Sequence, residues 1–252
     1  MKRTKSSKRK TIDEAILAIL SNVEIKENKI FLSCKQLDRK QYLAVNEVLE
    51  NMGGKWDRKS KSHIFTEDPT EKLEYVLLTG KITLPKKYGY FPTPATISIK
   101  LIELAKIERD MSVLEPSAGQ GGIADLIPKD CRIDCIELLS DNVAILEKKG
   151  YQAQQANFLA VEPSPIYHRV VMNPPFERQQ DIDHVSHALN FLMPGGRLVA
   201  IMSASILFRK NKKTVEFRDL IHQHNGYTER LPEGCFKESG TGVNAVLVSM
   251  DI

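Results

Sequence analysis

The run Val170-Val171-Met172-Asn173-Pro174-Pro175-Phe176 carries the most specific chemistry in the chain. Three apolar residues that read as a buried strand end lead into an asparagine, two prolines and an aromatic. The prolines fix two successive φ angles, and Pro175 disfavours the α region for Pro174. Such a loop presents its carbonyl oxygens in a set geometry. The Asn173 amide oxygen and the Pro174 carbonyl can together accept both hydrogens of one NH2 group. An amino group on an aromatic ring is a poor nucleophile, because its lone pair is delocalised into the ring. Two acceptors on its N–H bonds favour an sp3 nitrogen, and Phe176 can stack on the ring to fix its plane. Asn173, Pro174, Pro175 and Phe176 are therefore candidate catalytic residues for a direct in-line transfer to nitrogen, with no covalent enzyme intermediate.

A second constellation would hold the group donor. Residues 113–122, VLEPSAGQGG, take a strand into an acid and then a glycine-containing turn. Gly119 and Gly121 allow backbone to approach a ligand, and a helix opening here would offer free N–H groups. The pattern is not the dinucleotide fingerprint, and an acid at Glu115 would repel a pyrophosphate. It suits a cationic ligand such as an aminoacyl sulfonium, held by Glu115, Pro116, Ser117, Ala118, Gly119 and Gly121. Glu137, with Leu138 beside it, ends the next strand 18 residues after Gly119. That is where a ribose-binding acid belongs in a doubly wound sheet. Together the two motifs point to an adenosyl cofactor, which Asn173 would also touch.

The elements that must position these residues follow from the hydrophobic periodicity. From Ala95 onward the pattern predicts helix 95–107, strand 111–115, helix 121–128, strand 132–137, helix 140–149, strands 151–155 and 168–172, helix 180–192 and strand 196–202. A helix near 213–224 and a last strand over 244–250 follow. Short apolar strands separated by helices imply a mostly parallel sheet with helices on both faces. Residues 11–87 read as a separate small α/β module. Its helices are expected from 11 or 12 to 20, near 38–52 and from 69 or 70 to 78, and its strands over 29–33 and 63–66. Residues 1–10 hold six basic side chains and no acid, the composition of a flexible tail.

At this level of detail, residues 88–252 resemble the amino-group methyltransferases of the Rossmann-like class, the N6-adenine enzymes in particular. The resemblance rests on NPPF (173–176), the glycine turn, YFPTP (90–94), ALNFLMPGGRLVAIM (188–202) and LPEGCFKESGTGVNAVLV (231–248). It implies a seven-stranded, mostly parallel Rossmann-like sheet, S-adenosyl-L-methionine as cofactor, and binding of the target amino group by Asn173, Pro174 and Phe176. It further implies that Phe91, Thr93 and Pro94 hold the methionine part of the cofactor, and that the 231–248 segment closes near the target base. Asn157-Phe158 stands where the family commonly has Asp-Phe at the cofactor adenine. Asn157 can still accept from the adenine amino group, and Phe158 can pack on the ring. The motif order is that of the gamma arrangement, which usually adds a C-terminal target-recognition domain; none is expected after the last strand here, so base reading is expected to be relaxed, to come from residues 1–89 or to be supplied by a partner.

Charge agrees with a nucleic-acid substrate. The chain carries +4 overall, but residues 1–89 hold 19 Lys/Arg against 12 Asp/Glu and residues 90–252 hold 17 against 20. A basic appendage ahead of a catalytic domain suits a phosphate-bearing partner. Lys55, Arg58, Lys59 and Lys61 are candidate nucleic-acid contacts, with Trp56 expected to anchor the module's core. The four cysteines have no zinc spacing, and His184, His187, Asp181 and Asp183 read as a polar helix face, so no metal is expected. No apolar run is long enough for a membrane span, and the N-terminus fits no signal peptide. The sequence thus leads one to expect a cytoplasmic enzyme of bacterial, phage or mobile-element origin acting on adenine N6 in double-stranded DNA. The alternatives are adenine in RNA, a protein glutamine amide, or a non-catalytic nucleic-acid-binding protein with a vestigial cofactor fold. The oligomeric state is left open.

Overall fold

The computed structural model describes residues 11–33, 37–81, 92–237, 239 and 242–252. The chain forms two compact units, Met1–Leu84 with Phe208–Lys210, and Pro85–Leu207 with Asn211–Ile252. In the first, helices α1 (Glu14–Leu20), α2 (Arg39–Asn51) and α3 (Thr70–Thr79) accompany strands β1 (Glu24–Lys26), β2 (Lys29–Phe31), β3 (Lys55–Asp57) and β4 (Ser62–Ile64). The strands form an antiparallel sheet in the order β1-β2-β4-β3. Asp38 starts α2 with a capping box, its carboxylate accepting the Gln41 N–H while the Gln41 side chain accepts the Asp38 N–H. Leu20, Ile30, Val45, Leu49, Phe65 and Val76 are among the residues that build the core between helices and sheet. Two three-residue strands, β1 and β3, go beyond the sequence reading. Trp56 departs from it: 40% exposed on β3, it lies outside that core.

The second unit contains α4 (Ala95–Ala105), β5 (Ser112–Pro116), β6 (Arg132–Glu137), α5 (Ser140–Lys148), β7 (Gln152–Gln155), β8 (Tyr167–Met172), α6 (Gln180–Ala188), β9 (Leu192–Ser203), α7 (Lys212–Gln223), β10 (Tyr227–Arg230) and β11 (Ala245–Asp251). They make one seven-stranded sheet, β10-β11-β9-β8-β5-β6-β7. The pairs β5–β6, β5–β8, β6–β7 and β8–β9 are parallel, and β11 runs antiparallel between β9 and β10. Parallel strands buried on both faces need continuous apolar runs, and Val170, Val171 and Met172 are wholly buried beside Leu198–Met202. One core layer holds Leu114, Phe158, Ile182, Val185 and Phe191; the layer on the other face holds Ile97, Leu101, Ile123, Leu231 and Phe236.

Three departures from the sequence reading occur here. The helix expected over 121–128 is a series of turns with a 3-10 helix at Ala124–Leu126, because Gly121-Gly122 and Pro128 bracket too short a span. The edge strand β10 was not expected. Asp181 and His184 are also not a solvated polar face. Asp181 is buried and accepts the Ile182 and Ser203 N–H groups at 3.0 and 2.9 Å, tying α6 to the end of β9. His184 is buried against the Phe158 ring and donates Nδ1–H to the Gln180 carbonyl. No group of three potential metal ligands and no helix long and apolar enough to cross a membrane occurs among the described residues.

Candidate active site

The sheet brings the sequence motifs to one edge. Strands β5, β6, β7, β8 and β9 are parallel, with Pro116 opposite Ile136, Glu137 opposite Gln155 and Met172 opposite Ala200. The turns after β5, β6, β7 and β8 therefore leave from the same carboxyl edge, where ligands bind in open α/β sheets. These turns contain residues 117–122, 138–139, 156–159 and 173–176.

After β5 the chain reverses sharply. Ser117 has φ 136°, a costly value for a residue with a β-carbon, and its N–H and that of Ala118 both donate to the Ile136 carbonyl at 2.9 and 3.1 Å. Gly119 and Gly121 follow with φ 54° and 83°. At Gly121 a β-carbon would meet Leu146 Cδ2 at 3.1 Å and Tyr151 Cε2 at 3.4 Å, so the turn is packed tightly from behind. Lys149 Nζ donates to the Gln120 carbonyl and to Asp125, and Tyr151 Oη donates to the other Asp125 oxygen.

Both acids of the turn are buried. Glu137 accepts the Gly119 N–H at 2.7 Å and the Leu139 N–H at 2.9 Å, one on each carboxylate oxygen. This clamps the glycine turn to the end of β6 and leaves one acceptor position on each oxygen. Glu115 is 1% exposed and accepts the Ala124 N–H, while its Oε2 has no hydrogen-bond partner. Burial holds its carboxyl well above the usual carboxylate range, against the opposing pull of the Ala124 amide. Pro116 and Ala118 are buried beside it.

The edge of β6 and β7 is apolar and open. Leu138 and Leu139 are 63% and 53% exposed at the end of β6. The Ala156 N–H donates to the Glu137 carbonyl, holding the next turn alongside. Asn157 is exposed, its side chain accepting the Leu159 N–H at 3.2 Å. Phe158 is buried, its ring enclosed by His184, His187 and Phe191 at centroid distances of 5.9, 4.9 and 5.2 Å. The exposed apolar surface at this edge thus comes from the leucines rather than from Phe158.

Asn173 stands half-buried just past β8, and its Nδ2 donates to Thr93 Oγ1 at 2.9 Å. That bond aims the amide oxygen the other way, and Oδ1 accepts nothing from the described residues. Pro174 is buried, Pro175 exposed, and Phe176 half-buried against the Ile97–Leu101–Phe236 layer. Pro94 precedes α4 with φ −58°. Phe91 lies outside the described residues. Sequence reasoning missed Ser239, whose Oγ donates to the Pro92 carbonyl at 2.6 Å and holds the closing segment to residues 92–94. Gln179 was also missed. It accepts from Thr214 and Asn211 at 2.7 and 3.1 Å, fixing the chain that leaves Phe176.

No family model and no curated protein matches the chain. Solved structures with a similar fold include three methyltransferases. A modification subunit of a putative type I restriction enzyme from Vibrio vulnificus YJ016 has TM-score 0.53 and 15% identity, over 87% of this chain and 51% of that one. The type I restriction-modification methyltransferase subunit from Streptococcus thermophilus has TM-score 0.52 and 13% identity, over 65% and 44%. A dimethyladenosine transferase from Plasmodium falciparum has TM-score 0.51 and 14% identity, over 64% and 63%. The matched region spans about half to two thirds of each of those chains. At these identities the likeness is one of fold: the second unit has the α/β, mostly parallel seven-stranded sheet of Rossmann-like methyltransferases.

Proposed function

We propose that the chain is an S-adenosyl-L-methionine-dependent methyltransferase acting on the exocyclic N6 amino group of adenine in DNA. The observation that carries this reading is the Asn173–Thr93 hydrogen bond, which leaves the Asn173 amide oxygen beside the buried Pro174 at the carboxyl edge of the sheet. The Asn173 amide oxygen, paired with the Pro174 carbonyl, would match the two hydrogens of an NH2 group.

The residues present fit the cofactor. The unpartnered Glu115 Oε2 is a buried acceptor at the glycine turn, where an aminoacyl ammonium would favour the carboxylate that burial disfavours. The open positions on Glu137 suit ribose hydroxyls, and Leu138 and Asn157 offer an apolar surface and an amide at the place of an adenine ring. Thr93 and Pro94 line the approach to the methionine part, with Phe91 assigned from sequence. Bound there, the cofactor supplies an electrophilic methyl group on its sulfonium sulfur. Asn173 Oδ1 and the Pro174 carbonyl accept the two N–H hydrogens of the target and turn its lone pair out of the ring plane. Phe176, rested on the core along one side, supplies a stacking surface for the base.

DNA is favoured over RNA and protein by two supports. The first unit is basic, and two of the similar folds are named as restriction-modification subunits. The dimethyladenosine transferase keeps adenine in RNA as the second reading. The test is transfer of labelled methyl from S-adenosylmethionine to duplex DNA, single-stranded DNA, transfer RNA, ribosomal RNA and a glutamine-containing protein mixture, followed by nucleoside analysis. N6-methyladenine in DNA is the expected product. Label confined to RNA or protein would transfer the reading to that substrate. Cofactor binding without label anywhere would reject an amino-methylating activity on all of these acceptors.

A further inference from the structure

The four-stranded sheet of the first unit has two unlike faces. The row Ile25–Ile30–His63–Trp56 crosses all four strands, and Ile25, Ile30 and Phe65 pack against the three helices. His63 on that face is buried and hydrogen-bonded to Asn46 of α2 at 2.8 Å. Alternation along the strands sends Lys26, Lys29, Ile64 and Lys55 to the opposite face. The register aligns them in one transverse row: Lys26 opposite Lys29, Lys29 opposite Ile64, and Ile64 opposite Lys55. At about 4.8 Å per strand the row spans roughly 14 Å. The β3–β4 turn extends the cationic surface with exposed Arg58, Lys59 and Lys61.

Two acids of these strands are engaged. Glu24 pairs with Lys26 at 2.8 Å, but both side chains are more than half exposed, so the pair is weak and exchangeable. Asp57 accepts the Ser60 N–H and hydroxyl. Phe31 is the aromatic residue on the face, and Lys26 Nζ sits over its ring at 5.7 Å. A single strand is gripped by successive aromatic platforms, and among the described residues of these four strands this face offers Phe31 alone. A line of lysines on a flat surface instead matches a phosphate backbone.

We infer that this lysine row, Lys26–Lys29–Lys55 with the Arg58–Lys61 turn, is a docking surface for the phosphate backbone of double-stranded DNA, read without regard to base sequence. The inference rests on the DNA reading of the site above and adds where the duplex is held. It also divides the candidate contacts by face: Lys55 belongs to the row, whereas Trp56 on the same strand points to the helix side.

The test is fluorescence-anisotropy titration of the full chain, without cofactor, against a labelled duplex of about 20 base pairs across a KCl series. Wild type is compared with the triple variant Lys26→Ala/Lys29→Ala/Lys55→Ala. A charge-matched control carries Lys129→Ala/Lys148→Ala/Lys212→Ala, all exposed residues of the other unit. Emission of Trp56, the single tryptophan of the chain, reports whether the first unit has kept its fold. The expected result is roughly a tenfold or greater loss of affinity in the row variant at 0.15 M salt, with the slope of log K against log salt shallower by about 2–3. The control should match wild type. Equal losses in both variants, an unchanged slope, or tighter wild-type binding to single-stranded DNA or RNA than to duplex would overturn the inference. Because no methyl transfer is measured, an inactive enzyme with a row-dependent salt slope rejects the catalytic reading and keeps the surface.

Discussion

Glu115 is a buried carboxyl with one unpartnered oxygen, and that has a consequence for stability. A carboxyl whose native pKa lies above its unfolded value holds its proton longer when folded. Stability is therefore full below the usual carboxylate range and falls as pH rises toward the raised value. Glu115→Gln should remove that loss, so that stability relative to wild type increases as pH rises above the usual carboxylate range, read by chemical denaturation across a pH series. The same change should weaken S-adenosylmethionine binding, because the buried position loses its charge. Calorimetry in buffers of different ionisation enthalpy should show proton release on binding to wild type and none to the variant. Thr93 acts on Asn173 through one hydrogen bond. Thr93→Val should lower kcat roughly tenfold through a freely rotating Asn173 amide, and Thr93→Ser should restore most of it. If valine and serine variants were equally impaired, packing rather than the hydrogen bond would explain the loss. At this scale the sequence displayed the acids and the Asn-Pro-Pro run at strand ends, where parallel strands bring their turns to one edge. It could not display that Phe158 would be walled in by two histidines and Phe191, because those partners are 26 to 33 residues away.

Elements convert those residues into a site, and the glycine turn is the tightest of them. Gly121→Ala should destabilise by about 1–3 kcal/mol, since φ 83° strains the alanine and its methyl would press on Leu146. A melting temperature within a degree of wild type would show that the turn relaxes freely. Asp181 ties α6 to the end of β9 by taking two backbone N–H groups. Asp181→Ala should cost about 2–3 kcal/mol, while Asp181→Asn, which keeps one acceptor, should cost less; urea denaturation gives both. Long periodic segments such as α4, α5 and α7 were legible because burial repeats along them. Three elements were not. Strands β1 and β3 are three residues each, too short for alternation to register, and β10, Tyr-Thr-Glu-Arg, is an edge strand with scarcely any buried side chain. The helix expected over 121–128 had an apolar pattern, but its glycines and closing proline carried more weight.

Across the whole molecule, parallel pairing does what no single motif can. Four turns from separate parts of the chain meet at one sheet edge because β5, β6, β7 and β8 run the same way. That convergence was readable from alternating helices and strands, whereas the lysine row of the first unit was not, since it depends on strands the sequence hid. The account's central claim is that Asn173 acts on the target amino group while the cofactor site stands independently. The direct measurement is N6-methyladenine formed in duplex DNA in a single turnover by wild type and Asn173→Ala, with S-adenosylmethionine Kd determined for both. The account predicts a loss of at least about a hundredfold in rate, with Kd changed by less than about tenfold. A variant that methylates adenine at the wild-type rate would contradict it.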